Sequence, residues 1–236
     1  MKKQIITVSM IFAFLFLFPL KAKASSDKTY LLDTPTAMTL DYGSFDINGR
    51  FFRDGGLLTR VAFGVLKNIN IGVSWEVGNV IGIESLILSM PSLYVKARIF
   101  GGNMNLPAIA SGYDGQGYYW NKDKDDFEQK EKGVFIDFEK EIFLPDLMFN
   151  LGFNVNDFKD TKVYMFTSLF YDITDAFYLF AEGDNIFSGK DWRMNTGIGI
   201  NVTEGLSLEL NFRDLFGQND RYSAERIVRV NYKGRF

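Results

Sequence analysis

The sequence predicts an all-β chain: a transmembrane, antiparallel, up-and-down β-barrel of about 12 strands, preceded by a cleaved signal peptide. Three observations predict it. Segments of about ten residues alternate strictly between apolar and polar side chains. The connections between them alternate between short and long. The final segment carries the same alternation up to Phe236.

The first element is a leader. Lys2 and Lys3 form a positive n-region, residues 5–20 are an apolar run rich in Phe, and Ala22-Lys23-Ala24 supplies a small-x-small cleavage site. The run is short for a helix of roughly 20 residues that spans a bilayer, so removal is expected rather than anchoring. The expected organisation is a signal peptide over 1–24, a periplasmic N-terminal segment over 25–42 and an outer-membrane barrel over 43–236.

Loss of four leader lysines leaves 22 basic against 29 acidic side chains, a net charge of −7. That balance excludes the basic stripe a nucleic-acid partner requires and any polybasic patch for an anionic membrane surface. The chain has no Cys, and a closed barrel has no small core to staple. Yet 16% of its residues are aromatic, 24 of them Phe, an excess that a lipid-facing surface explains.

Twelve segments alternate: 43–53, 57–66, 69–78, 92–100, 105–113, 133–143, 147–157, 162–173, 176–185, 191–202, 206–214 and 225–236. In the third, Ile69, Ile71, Val73, Trp75 and Val77 share one face, and Asn70, Gly72, Ser74, Glu76 and Gly78 the other. The fifth is the weakest, blurred by Pro107 and small residues. Most reach the roughly 9–11 residues that cross a bilayer when tilted. The connections 67–68, 101–104, 144–146, 174–175 and 203–205 are short and are expected on the periplasmic side. Those at 79–91, 114–132, 158–161, 186–190 and 215–224 are mostly longer and more polar, and 53–56 is tight. Residues 80–90 are too apolar for an ordinary outer loop. They either extend the neighbouring strands, fold into the mouth, or add a strand pair to make fourteen.

In the last segment Val228, Val230, Tyr232, Gly234 and Phe236 lie on one face, a pattern similar to the C-terminal strand by which outer-membrane barrels engage their assembly machinery. A soluble barrel also alternates, with its apolar face inwards. Here that face carries large Phe, Leu, Ile and Val, which would overfill a twelve-stranded interior, whereas Gly, Asn, Ser and charges suit a narrow lumen. Phe51, Phe52, Trp120, Phe143, Phe158, Trp192, Phe216 and Phe236 fall near strand ends, where interfacial girdles form.

No enzymatic chemistry is legible. The chain contains no His, which removes Ser–His hydrolysis, and Ser111 lacks the frame of a nucleophile elbow. Glu182 and Asp184 share a polar face two residues apart, but a lumen ion pair with Arg193, Arg213 or Lys96 is reason enough for them without acid–base work. The carboxylates Asp123, Asp125, Asp126 and Glu128 lack the Gly-bearing frame of a calcium loop and read as a solvated outer loop. No cofactor or metal is expected.

The functional surface is therefore the lumen, lined by Arg50, Arg60, Glu76, Lys96, Arg98, Glu182, Asp184, Arg193, Glu209, Arg213 and Arg229, with Asp137, Glu139, Lys233 and Arg235 on the same parity. Both signs are present in comparable number, unlike the one-sided ring of a pore selective for one sign. Cross-lumen salt bridges that narrow or close the channel are expected.

Several stretches together resemble the YjbH-like outer-membrane barrel family, associated with exopolysaccharide production. They are Asp33-Thr34-Pro35-Thr36-Ala37, Pro91-Ser92-Leu93-Tyr94-Val95-Lys96-Ala97-Arg98, Leu106-Pro107-Ala108-Ile109-Ala110-Ser111-Gly112, Phe180-Ala181-Glu182-Gly183-Asp184 and residues 208–216. The resemblance implies an outer-membrane barrel with a polysaccharide-related role, and it brings no catalytic residue. The expected partners are outer-membrane lipid and lipopolysaccharide, the assembly machinery and polysaccharide. The expected function is a narrow conduit or accessory barrel. The alternative is a plugged structural barrel that acts through its outer loops without transport.

Overall fold

The computed structural model describes residues 28–130, 132–156, 162–188, 192–217 and 224–236. The leader over 1–24, Phe158 and residues 218–223 of the last outer loop lie outside them. Twelve strands form the barrel: β1 (Ser44–Phe52), β2 (Gly56–Leu66), β3 (Ile69–Gly78), β5 (Ser92–Phe100), β6 (Ala108–Asp114), β9 (Gly133–Glu141), β10 (Leu147–Val155), β11 (Tyr164–Asp172), β12 (Phe177–Ile186), β13 (Arg193–Asn201), β14 (Leu206–Arg213) and β15 (Glu225–Arg235). A two-residue strand, β4 (Ile87–Leu88), and a hairpin of β7 (Tyr118–Asn121) and β8 (Asp126–Gln129) lie outside the ring.

Every barrel strand pairs antiparallel with its neighbours, and β1 pairs with both β2 and β15, so the ring closes with no free edge. Registers run from Ser44↔Arg235 to Phe51↔Val228 at the seam, and the Phe236 amide donates to the Gly43 carbonyl at 3.0 Å. Each predicted strand is present. The weak fifth is shortened to β6, because Leu106 and Pro107 belong to the preceding turn.

Alternation sorts the side chains radially. On β1, Ser44, Asp46, Asn48 and Arg50 point inwards and are buried, while Ile47 and Phe51 are exposed on the outside. The outward set continues around the ring through Val73, Leu93, Ile136, Leu169, Ile198, Leu210 and Val228. An apolar band this continuous is what a strand-built membrane span requires. No helix among the described residues is long and apolar enough to cross a membrane.

Residues 80–90 add no strand pair to the ring. Ile87 and Leu88 pair with Gly78 and Val77 of β3, and the Trp75 indole donates to the Ser89 carbonyl at 2.9 Å, so the segment lengthens β3 at the rim. Two expected girdle residues sit elsewhere. Phe52 faces inwards against Tyr118 and Tyr119, and Trp120 packs on Phe127 within the β7–β8 hairpin. Trp192 stacks on Phe216 at 5.9 Å, and Phe63 meets Phe236 edge-on at 6.4 Å.

The inner face also holds large aromatics, beyond the Gly, Asn, Ser and charges expected there. Tyr178, Phe180, Phe166 and Phe135 each face a glycine directly across the ladder: Gly199, Gly197, Gly152 and Gly112. A Cβ on Gly199 would stand 2.1 Å from the Tyr178 ring, so the missing side chain is what lets that ring lie flat against the wall.

Candidate functional site

The N-terminal segment does not stay outside the barrel. Residues 28–41, expected as part of a periplasmic segment, run into the lumen, where nearly all are buried. The entry is made at Gly64. Its missing Cβ would lie 2.0 Å from the Asp41 carbonyl, so only glycine admits the segment against β2 there. Deeper in, Tyr30 to Pro35 form a tight reversal, bridged between Tyr30 and Pro35, in which the Leu31 amide donates to the Thr34 carbonyl at 2.9 Å. Pro35 fits because a fixed φ suits a reversal and its position requires no amide donor.

A buried reversal has backbone groups that must find partners. The barrel wall supplies them from side chains. Glu182 accepts from the Asp33 amide at 2.7 Å, the Thr34 amide at 3.3 Å and the Thr34 hydroxyl at 2.8 Å. Lys96 donates to the Thr29 carbonyl at 2.6 Å and the Thr36 carbonyl at 3.0 Å. Asn150 donates to the Pro35 carbonyl at 2.6 Å, and Arg229 donates to the Leu31 carbonyl. Glu139 accepts from the Ala37 amide at 3.3 Å, and Asn70 from the Leu40 amide at 3.0 Å.

Side chains of the segment reach back. Lys28 donates to Glu209 at 2.9 Å and to the Tyr178 hydroxyl at 2.6 Å. Leu31 and Leu32 are buried with Phe170, Tyr178, Phe180 and Ile227, and smaller apolar contacts are made by Ala37 with Ala108 and Ala110 and by Leu40 with Ala62 and Tyr94. Asp33 is the centre. Its Oδ2 accepts from Arg213 Nε at 2.6 Å and Asn195 at 3.3 Å, and its Oδ1 from the Tyr118 hydroxyl at 2.7 Å. Arg193 and Arg50 stand at 3.8 and 3.9 Å. Burial alone pushes this carboxyl up, but Arg213 and Arg193 outweigh burial and hold it well below the usual carboxylate range. Asp33 is therefore an anion inside the barrel.

The opposite mouth is filled as well. The β7–β8 hairpin, part of which lies in the charged run over 121–132 expected as a solvated outer loop, tucks inwards with Tyr118, Phe127 and Gln129 buried, as is Lys132 beyond it. Glu76 accepts from the amides of Tyr119 at 3.2 Å and Trp120 at 2.9 Å. Lys132 pairs with Asp184, which also takes Arg193 at 2.7 Å. The hairpin and the N-terminal segment meet at the Tyr118–Asp33 bond. Of the loop carboxylates, Asp126 pairs with Lys130 at the surface. No group of three metal-ligating residues occurs among the described residues.

The lumen-lining residues read from the sequence thus fall into distinct roles. Arg50, Arg193 and Arg213 surround Asp33. Glu182, Lys96 and Arg229 hold the segment's backbone, and Glu209 binds both Lys28 and Arg229. Arg60 pairs with Asp114 at 2.7 Å. Arg98 is half-buried near the entry, bonded to Asn68 at 2.9 Å. Asp137 and Glu139 are buried, whereas Arg235 sits exposed at the rim beside Asp41. Few of these charges bridge the lumen to each other; most meet the segment that occupies it. Two voids flanking the segment hold about 20 Å³ each, room for roughly one water. A cavity of about 850 Å³ lies at the entry mouth, lined by Arg98, Lys233 and Arg235 among others.

No protein-family model and no curated protein matches the chain. Among solved structures it is similar to a KdgM porin, at 14% identity over 80% of this chain and 98% of that one, with a TM-score of 0.48. A KdgM porin in complex with disordered oligogalacturonate gives 8% identity, coverage of 82% and 99%, and a TM-score of 0.49. The outer membrane protein Omp33 of Acinetobacter baumannii gives 15% identity, coverage of 84% and 99%, and a TM-score of 0.47.

Proposed function

We propose that the chain is an outer-membrane barrel of a Gram-negative bacterium, without enzymatic activity, whose lumen is a gated conduit for small polar solutes or glycan. Residues 28–41 are its gate. The observation that carries this reading is the way the gate is held. Beside apolar contacts at Leu31, Leu32, Ala37 and Leu40, the wall grips it along most of its length through charged and amide side chains. Buried ion pairs are a poor choice for a permanent filling, since apolar packing of equal volume is as stable or more so. They are a good choice for a wall that water must wet when the segment leaves. The carboxylates that could have served catalysis, Glu182 and Asp184, are committed to the gate and to Arg193.

The outward apolar band supports the membrane location. The stretch Asp33-Thr34-Pro35-Thr36-Ala37, one of several that together resemble the YjbH-like family, completes the reversal of the gate and runs on beyond it, and this supports a glycan-related role. A static barrel that acts through its outer loops is the second reading, favoured by the smallness of the residual voids.

A cross-link separates the two. Ala37 lies in one buried cluster with Ala108 and Ala110 of β6, and the chain has no Cys of its own. With Ala37→Cys and Ala110→Cys, the refolded protein in a planar bilayer is expected to be silent when oxidised and to show openings under voltage once reduced. Silence in the reduced form at every voltage would remove the conduit and leave the static barrel.

A further inference from the structure

Asp33 occupies the position of a bound ligand. Three guanidinium groups from three strands, Arg50 of β1, Arg193 of β13 and Arg213 of β14, converge on one carboxylate that belongs to the gate and not to the wall. Their side chains are 3, 7 and 2% exposed. Each has a partner other than Asp33: Arg213 has Glu225 of β15 at 3.4 Å and Gln129 of the inward hairpin, Arg193 has Asp184 of β12, and Arg50 Nε has Asn48 at 3.2 Å. The cluster therefore does not rest on Asp33 alone.

Asp33 also leaves the cluster unfilled. Among the described residues Arg50 has no other carboxylate within ion-pair distance, and the buried Nε of Arg193 has no hydrogen-bond partner. A second oxygen beside the carboxylate would meet that donor. Next to it, Glu182 accepts the Asp33 and Thr34 amides and the Thr34 hydroxyl, and would be ready for donors on whatever replaces them. Three cations for a carboxylate, and an anionic acceptor beside them for hydroxyl groups, is the complement of a sugar acid.

We propose that Arg50, Arg193 and Arg213, with Asn195 and Glu182, form a lumen site for a carboxylate-bearing polyhydroxy solute such as a uronate. Asp33 fills this site when the gate is closed, so that such a solute competes with the gate. The proposal rests on residues 28–41 being displaceable, and the test separates the two.

Full-length Asp33→Ala is refolded in detergent and titrated with glucuronate, formate and glucose, in parallel with wild type and with Asp33→Ala/Arg213→Gln. Its current is recorded in a bilayer without ligand. The expected order in Asp33→Ala is glucuronate tighter than formate, with no binding of glucose. Wild type and the double variant should bind glucuronate about tenfold or more weakly, the effect of losing one charge-assisted bond or of internal competition. Absence of carboxylate binding to Asp33→Ala, or equal binding by the double variant, would overturn the site even if Asp33→Ala conducts. Binding without current would uphold the site and remove the conduit. Should Asp33→Ala fail to refold, Asp33→Asn keeps the shape without the charge, and the same criteria apply. A glucuronate oligomer that binds more tightly than the monomer identifies a glycan; equal affinity identifies a small hydroxy acid.

Discussion

Replacing Glu182 with Ala should release the gate as a unit. Glu182 accepts three hydrogen bonds from the segment, two from the amides of Asp33 and Thr34 and one from the Thr34 hydroxyl, and a fourth from Asn195 at 2.7 Å. Bonds to a charged acceptor contribute about 1.5–3 kcal/mol each, and a buried donor left without a partner costs a similar amount. Discounting for water that enters the vacated space, a loss of about 3 kcal/mol from docking is a conservative sum, about a hundredfold in the docking equilibrium. Amide hydrogen exchange reads this directly. The informative amides are Ala37 and Leu40, which bond to Glu139 and Asn70 and do not touch Glu182. If residues 28–41 dock cooperatively, both should exchange about a hundredfold faster, while amides in the β1–β15 ladder keep their wild-type rates. Acceleration confined to Asp33 and Thr34 would refute a cooperative gate.

The remaining predictions test other parts of the same architecture. Glu209→Ala removes the shared partner of Lys28 and Arg229, two cations buried deep in the lumen, and should lower the free energy of unfolding by about 3–5 kcal/mol as measured by denaturant unfolding in detergent. A double-mutant cycle of Tyr118→Phe and Asp33→Asn, read by the same unfolding, should show a coupling of about 1 kcal/mol; strict additivity would mean that the hairpin and the gate are held separately. Gly199→Val drives a side chain into the Tyr178 ring and should cost about 1–3 kcal/mol, whereas Ala181→Val, on the outward face of β12, should cost little. Leu210→Arg places a charge in the outward apolar band and should destabilise the protein in phospholipid vesicles by about 2–4 kcal/mol, with little effect on a protein that does not contact lipid.

The barrel was legible because each strand repeats the same test. A period of two, tried over ten residues in twelve places, leaves little freedom in number or register. The lumen was legible in its parity but not in its content. Arg193 pairs with Asp184 of the wall as the sequence suggests, yet Arg213 and Glu182, also placed on the inner face, were assigned other wall residues as partners. Their actual partners, Asp33 and Thr34, precede the first strand, where no periodicity marks them. The signal available was compositional: Leu31-Leu32-Asp33-Thr34-Pro35 is too apolar and too turn-rich for an exposed tail. The aromatics of the inner face were hidden for a related reason. Tyr178 and Phe180 carry the parity of Glu182, and only the cross-strand register, which sets them over Gly199 and Gly197, shows why the lumen accommodates them. The inward fold of 115–132 was obscured by its surface charges, since Asp126 and Lys130 are solvated while Tyr118 and Lys132 of the same loop are buried.

Single-channel recording of the barrel with residues 28–40 deleted, beside wild type, shows whether that segment is what closes the lumen. Closure of the ring requires only β1 to β15, so the deletion leaves the wall complete. Wild type should be closed for most of the record, and the deletion should give a steady, open current. A steady open current in wild type, or a silent deletion variant that has refolded into the bilayer, would contradict it.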